Sequence, residues 1–172
     1  MRRIFGFFVV TVFAAWACTK TSDPVLTSDQ IYEKDSITID AFLAAHNISA
    51  INAGHGIRYV IDKQGDGPIA TKDNCVRFKY AVYAITTDTA FEKSGDDGYK
   101  AALKNLTPGI QVGLKNMPVG TKGRIYIPSV YGYPDGILGS GGYTLNPNTP
   151  IWFEVEVFQL YDYNSLGNYC YE

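Results

Sequence analysis

The sequence predicts an α+β domain in which an antiparallel sheet wraps one short helix. Three observations carry this. Segments with a period of two recur both early and late in the chain, one stripe with helical spacing lies between them, and the order is strands, then one helix, then strands. The 172 residues, 46% of them apolar and 19% charged, suit a single ordered core.

Taken in order, the chain opens on Arg2 and Arg3 and an apolar run from Ile4 to Ala15. That run is too short for a crossing of roughly 20 residues and fits the core of a signal peptide. It ends Ala15-Trp16-Ala17-Cys18, which resembles a bacterial lipoprotein signal, although Trp16 is bulky for its place. Residues 1–17 are therefore expected to be removed and Cys18 to be lipidated, since two or more acyl chains are what stable anchoring requires. Residues 18–27, polar with one proline, read as a tether. The expected place is a bacterial cell envelope, lipid-anchored to a membrane, the outer one first, and facing the periplasm or the surface.

Residues 28–55 read as a helical extension. A helix starting at Ser28-Asp29-Gln30 runs unevenly to His46, with a break expected near Ser36, carries Ile31, Ile39, Phe42 and Leu43 toward a core, and closes at Asn47. From Gly56 the period becomes two, with Ile57, Tyr59 and Ile61 on one face, and the GDG at 65–67 marks a turn. A longer strand from Cys75 to Thr86 places Val76, Phe78, Tyr80 and Val82 on one face. Leu106, Ile110, Gly113, Leu114 and Met117 form the helical stripe, with Thr107 as N-cap and Pro108 in the first turn. Gly123 to Ile127 is a strand, Pro128 to Asn148 a long loop, and Ile151 to Leu160 the last strand. Residues 162–172 form a tail.

Composition excludes several classes of function. The net charge is -2 with no like-charged block, so a nucleic-acid binder's footprint is missing. Two histidines and three cysteines show neither C-x-x-C nor H-x-x-x-H spacing, and no metal site is expected. His46 and His55 read as surface residues. Gly139-Ser140-Gly141-Gly142 lacks the strand-to-helix context of a nucleophile or phosphate loop and reads as a rim loop. Cys75 and Cys170 pair only if their Cα atoms come within roughly 7 Å, which the sequence leaves open. Of 13 Tyr, 9 Phe and 2 Trp, five leave with the signal peptide; the excess that remains is chiefly tyrosine.

The stretch LTPGIQVGLKNMPVGTKGRIYIPSVYGY, followed by TLNPNTPIWFEVEVFQL, resembles the FKBP-type peptidyl-prolyl cis-trans isomerase family. The resemblance rests on the spacing of the helix entry at Leu106 to Met117, Ile127-Pro128 before Tyr131-Gly132, and Phe153-x-Val155-Glu156, and it covers residues 56–161. It implies an FKBP-like antiparallel sheet around one short helix with an N-terminal helical extension. The signal and the preceding helix resemble lipid-anchored members of Gram-negative bacteria.

Carried onto matching positions, the resemblance implies a catalytic group of Tyr80, Phe91, Glu92, Tyr131 and Phe153, with Tyr99, Leu106, Thr107, Ile110 and Leu145 in substrate binding. The backbone N–H of Thr107 would hold a substrate carbonyl, and the Tyr131 hydroxyl would be a second donor. The chain departs from the family at Ile110, which stands where an aromatic floors the pocket, at Glu92 for Asp, at Thr107 for Ile, and in a shortened segment before Leu106. The implied activity is rotation of X-Pro bonds in exported proteins by a monomer without cofactor or metal. The expected partners are proline-containing polypeptides and, through Cys18, a membrane. A non-catalytic module that holds a partner segment, and a structural envelope lipoprotein, are the rival readings.

Overall fold

A computed structural model describes residues 26–139, 142–164 and 169–170. The signal peptide, Cys18, most of the tether and Ser140-Gly141 of the rim loop lie outside the described residues.

Helix α1 spans Ser28–Ala45. It starts at Ser28 as expected and is capped by Thr27: the Thr27 hydroxyl accepts from the Gln30 N–H (3.3 Å) and the Gln30 side chain accepts from the Thr27 N–H (2.9 Å). The expected break at Ser36 does not occur: the helix runs through it, and the Ser36 hydroxyl donates to the Tyr32 carbonyl one turn back (2.9 Å). Asn47 ends the segment at φ 54°, the left-handed conformation expected of it.

The extension is not wholly helical. Ile51–Gly54 is strand β1, joined to β2 (Ile57–Lys63) by a turn at His55 and Gly56, both at positive φ. The chain continues through β3 (Asn74–Ala84), β4 (Ala90–Lys93), β5 (Tyr99–Ala102), α2 (Pro108–Leu114) and β6 (Lys122–Ile127). A short hairpin, β7 (Ile137–Leu138) with β8 (Thr144–Leu145), stands inside the long loop. Strand β9 (Ile151–Asn164) outruns its expected end, and β10 (Tyr169–Cys170) pairs back on it, so the described part of the tail belongs to the sheet. Strands run β1-β2-β6-β9-β3-β4, every described pairing being antiparallel, with β5 beside β3. The class is α+β, as the sequence predicts.

The inner face of the sheet packs on α2. Phe78, Val82, Ile125, Phe153, Val155 and Val157 close over Ile110, Leu114 and Met117, all buried. Each such side chain contributes about 1.5–3 kcal/mol on leaving water. Helix α2 lies unusually near β6 because two of its residues lack a side chain: a Cβ on Gly109 would run into Ile127, and one on Gly113 into Ile125. Gly109→Ala is therefore expected to lose about 1–3 kcal/mol through overpacking, outweighing the roughly 1 kcal/mol that alanine gains in helix propensity. A urea midpoint that rises would contradict this.

The outer face is covered at one end by α1. Ile39 and Leu43 seal Tyr126, with Phe42, Val60 and Trp152 at the margin. The two helices thus lie on opposite faces of the sheet. Elsewhere the outer face is charged and pairs with itself, through Arg124 on Asp62 (2.7 Å) and Lys122 on Glu156 (3.0 Å). Among the described residues no helix is long and apolar enough to cross a membrane.

Candidate functional site

The inner face of β3 and β9 also carries a group of aromatic side chains. Tyr80 on β3 stands opposite Val155 and lies 5.9 Å, ring to ring, from Phe153. Phe153 is buried between Val82 and Ile125 in the sheet register. Tyr99, exposed on β5, meets Tyr80 edge-on at 6.0 Å and Phe78 at 6.2 Å.

Phe91 reaches this face through a β-bulge. Val82 pairs with Glu92 and Tyr83 with Ala90, so Phe91 is the extra residue of β4 and is buried in the inner core. Ile110 and Leu145 are buried in the same core, and Leu106 packs against it. Thr107 caps α2 through its carbonyl, which accepts from the Gln111 N–H (3.1 Å); its hydroxyl is buried and has no partner.

Tyr131 packs against the inner core, as Tyr133 does, but makes its ring contacts elsewhere. Its ring meets Tyr32 of α1 edge-on at 6.2 Å and His55 at 5.5 Å, on the side of the extension. The tyrosine that faces the aromatic group is Tyr133, edge-on to Phe91 at 6.2 Å. A 3₁₀ turn at Ser129–Tyr131 and then Gly132, at φ -115° and ψ -99°, redirect the chain between the two. The sequence holds the signal for this as Y-G-Y, in which either tyrosine can be read as the one preceding the turn.

Tyr80, Tyr99, Tyr133 and Glu92 therefore converge on an apolar wall of Phe91 and Phe153. Burial, then the Glu92 charge and the neighbouring phenols, pushes the Tyr80 hydroxyl up to about 12. Tyr133 is raised for the same reasons, burial first. Both remain O–H donors at neutral pH. A phenol that ionises later in the folded chain than in the unfolded one, where its pKa is about 10, carries stability that is complete below that value. This stability is lost as pH climbs through about 12. The urea midpoint is expected to fall as pH rises above 10, and a rise there would contradict the burial of these hydroxyls.

A separate cleft of about 660 Å³ opens on the outer face between Lys79, Lys93, Lys122, Glu154 and Glu156. Lys79 there is bound to Asp96 at 2.6 Å and Lys122 to Glu156. It is charged and lies across the sheet from the aromatic group.

The chain is 30% identical over 107 residues to the FKBP-type peptidyl-prolyl cis-trans isomerase FkpA of Aeromonas hydrophila, covering 61% of this chain and 38% of that protein. It is 31% identical over 107 residues to the probable FkpA of Neisseria meningitidis, with the same coverage. The chain thus spans about four-tenths of the length of these relatives. Among solved structures, a peptidyl-prolyl cis-trans isomerase of Pseudomonas syringae superposes with a TM-score of 0.62 at 23% identity, over 80% of this chain and 98% of that one. Escherichia coli FkpA superposes with 0.61 at 20% identity, over 80% and 74%. These two likenesses establish the fold. The model of the FKBP-type peptidyl-prolyl cis-trans isomerase family matches residues 67–158, more than half of the chain and the stretch that holds Tyr80, Phe91, Tyr133 and Phe153, so the chain belongs to that family.

Proposed function

We propose that the protein is a peptidyl-prolyl cis-trans isomerase that rotates X-Pro bonds of exported proteins from a lipid anchor at Cys18. The observation that carries the reading is the aromatic group itself: Phe91, Phe153, Tyr80 and Tyr133 gathered on one apolar wall of the inner core. The barrier to X-Pro rotation is about 18–20 kcal/mol, because amide resonance is lost in the twisted state. No nucleophile is needed. A wall of this kind seats a pyrrolidine ring and excludes water, while a few hydroxyl and backbone donors orient the flanking carbonyls. Lowering the barrier by about 5 kcal/mol speeds rotation more than a thousandfold.

In this reading Tyr133 takes the donor role that the resemblance gives to Tyr131, Ile110 floors the pocket, and Glu92 borders it with Tyr99. Leu106 and Leu145 support the wall, and the N–H of Thr107 faces a substrate carbonyl. The test is proline-limited refolding of an unrelated protein with and without the purified chain. Acceleration at micromolar protein is expected. Binding of a proline peptide without acceleration would instead favour the non-catalytic module.

The anchor is tested separately. Cys18→Ser is expected to move the protein from the membrane fraction to the soluble fraction, since a single thiol carries the lipid. A processed form of the Cys18→Ser variant that stays with the membrane would contradict lipidation.

A further inference from the structure

We infer that Asp35, on α1, is a positioning residue that fixes the loop carrying Tyr133, so that the N-terminal extension is a working part of the pocket. The inference rests on the isomerase reading for its functional half and on geometry alone for its structural half. Asp35 is 1% exposed. Its Oδ2 accepts from the Ser129 N–H at 2.7 Å and from the Ser129 hydroxyl at 2.5 Å, across 94 residues of sequence. Ser129, fully buried, opens the 3₁₀ turn that leads through Tyr131 and Gly132 to Tyr133.

A buried carboxylate is costly unless its hydrogen bonds repay the loss of water. An aliphatic side chain at position 35 would seal α1 to the turn without that cost, but it would not dictate a direction. Two charge-assisted bonds to one residue do dictate it. Neighbouring contacts close the same grip. Tyr32, on the same side of α1, meets Tyr131 edge-on, and a Cβ on Gly56 would come within 3.0 Å of Ser36, Tyr32 and Pro128. The far end of the loop is also held, because a Cβ on Gly139 would run into the Phe91 carbonyl, and the Gly139 N–H donates to the Tyr143 carbonyl (2.8 Å). Tyr133 therefore hangs between two fixed points, one on the pocket wall and one on α1.

The experiment compares the purified wild type with Asp35→Ala, Asp35→Asn and Ser129→Ala by amide hydrogen exchange and by kcat/KM on a proline peptide. Asp35→Ala is expected to speed exchange of loop amides between Ser129 and Gly136 at least tenfold while β3 and β9 amides keep their protection. It is also expected to lower kcat/KM at least tenfold, since misplacing a reacting group by about 1 Å can cost a hundredfold. Asp35→Asn, which keeps an acceptor oxygen, is expected to restore most of both. If Asp35→Ala loosens the whole sheet, the milder Ser129→Ala decides by the same two readouts. Unchanged loop exchange, or a loosened loop with undiminished kcat/KM, would overturn the inference. A wild type without isomerase activity would overturn the functional reading, and loop exchange would still decide whether Asp35 holds the loop.

Discussion

Replacing Phe153 by alanine is expected to cost about 3–5 kcal/mol of stability, the range for a buried aromatic whose cavity cannot collapse. The site cannot collapse because Phe153 is locked in register between Val82 and Ile125 near the middle of the sheet. A loss of that size is a large share of the roughly 5–15 kcal/mol that holds a typical domain together. The same substitution removes part of the aromatic wall, and kcat/KM is expected to fall at least a hundredfold, about 2.7 kcal/mol of transition-state stabilisation. Phe153→Leu separates the two effects. Leucine keeps most of the volume, so its stability cost should stay below about 1.5 kcal/mol, while the aromatic face against Tyr80 is lost and activity drops. Chemical denaturation and peptide isomerisation measured on the same two proteins check this, and a Phe153→Ala protein of wild-type stability would contradict the packing described.

Reducing the Cys75–Cys170 bond is expected to have the next largest effect. The two cysteines, 95 residues apart, are joined with Cα atoms 5.6 Å apart, between the start of β3 and β10. A crosslink closing so long a loop restricts the unfolded chain strongly, by about 4–5 kcal/mol in the chain-entropy account. Part of this is recovered in the reduced native state, because β10 is two residues long and can detach from β9. The expected loss is therefore about 2–4 kcal/mol, with a drop in Tm of about 10 °C. Cys170→Ser should match the reduced wild type. An oxidised and a reduced protein with equal Tm would show that the bond does not constrain the fold.

Those parts of the fold whose side chains alternate between the core and the outside were legible in the sequence. In β3, Val76, Phe78 and Val82 are buried on one face, and the stripe from Leu106 to Met117 holds α2 and the turn after it. Strand β1 was not legible, because a four-residue edge strand with a mostly exposed face has no alternation to detect. The bulge at Phe91 shifts the phase of β4, which hides a strand whose side chains are otherwise well placed. Asp35 looks like any solvated helix acid until Ser129 is brought to it. The resemblance pointed to Tyr131 alone; that Tyr133 is the one to meet Phe91 depends on the backbone of Gly132, which no spacing rule encodes. Tyr80, Phe91 and Phe153 could be matched to the family because they lie on strands, whereas the loop tyrosine that faces Phe91 stands two residues beyond the one the resemblance suggested.

The most direct measurement is magnetisation exchange between the cis and trans forms of a proline-containing peptide, recorded with wild type, Tyr133→Phe and Tyr131→Phe. Wild type is expected to accelerate the exchange, Tyr133→Phe to lower that acceleration about tenfold or more through loss of one positioned donor, and Tyr131→Phe to leave most of it. No acceleration by a folded wild type would contradict the isomerase assignment, and loss confined to Tyr131→Phe would return the donor role to the other tyrosine.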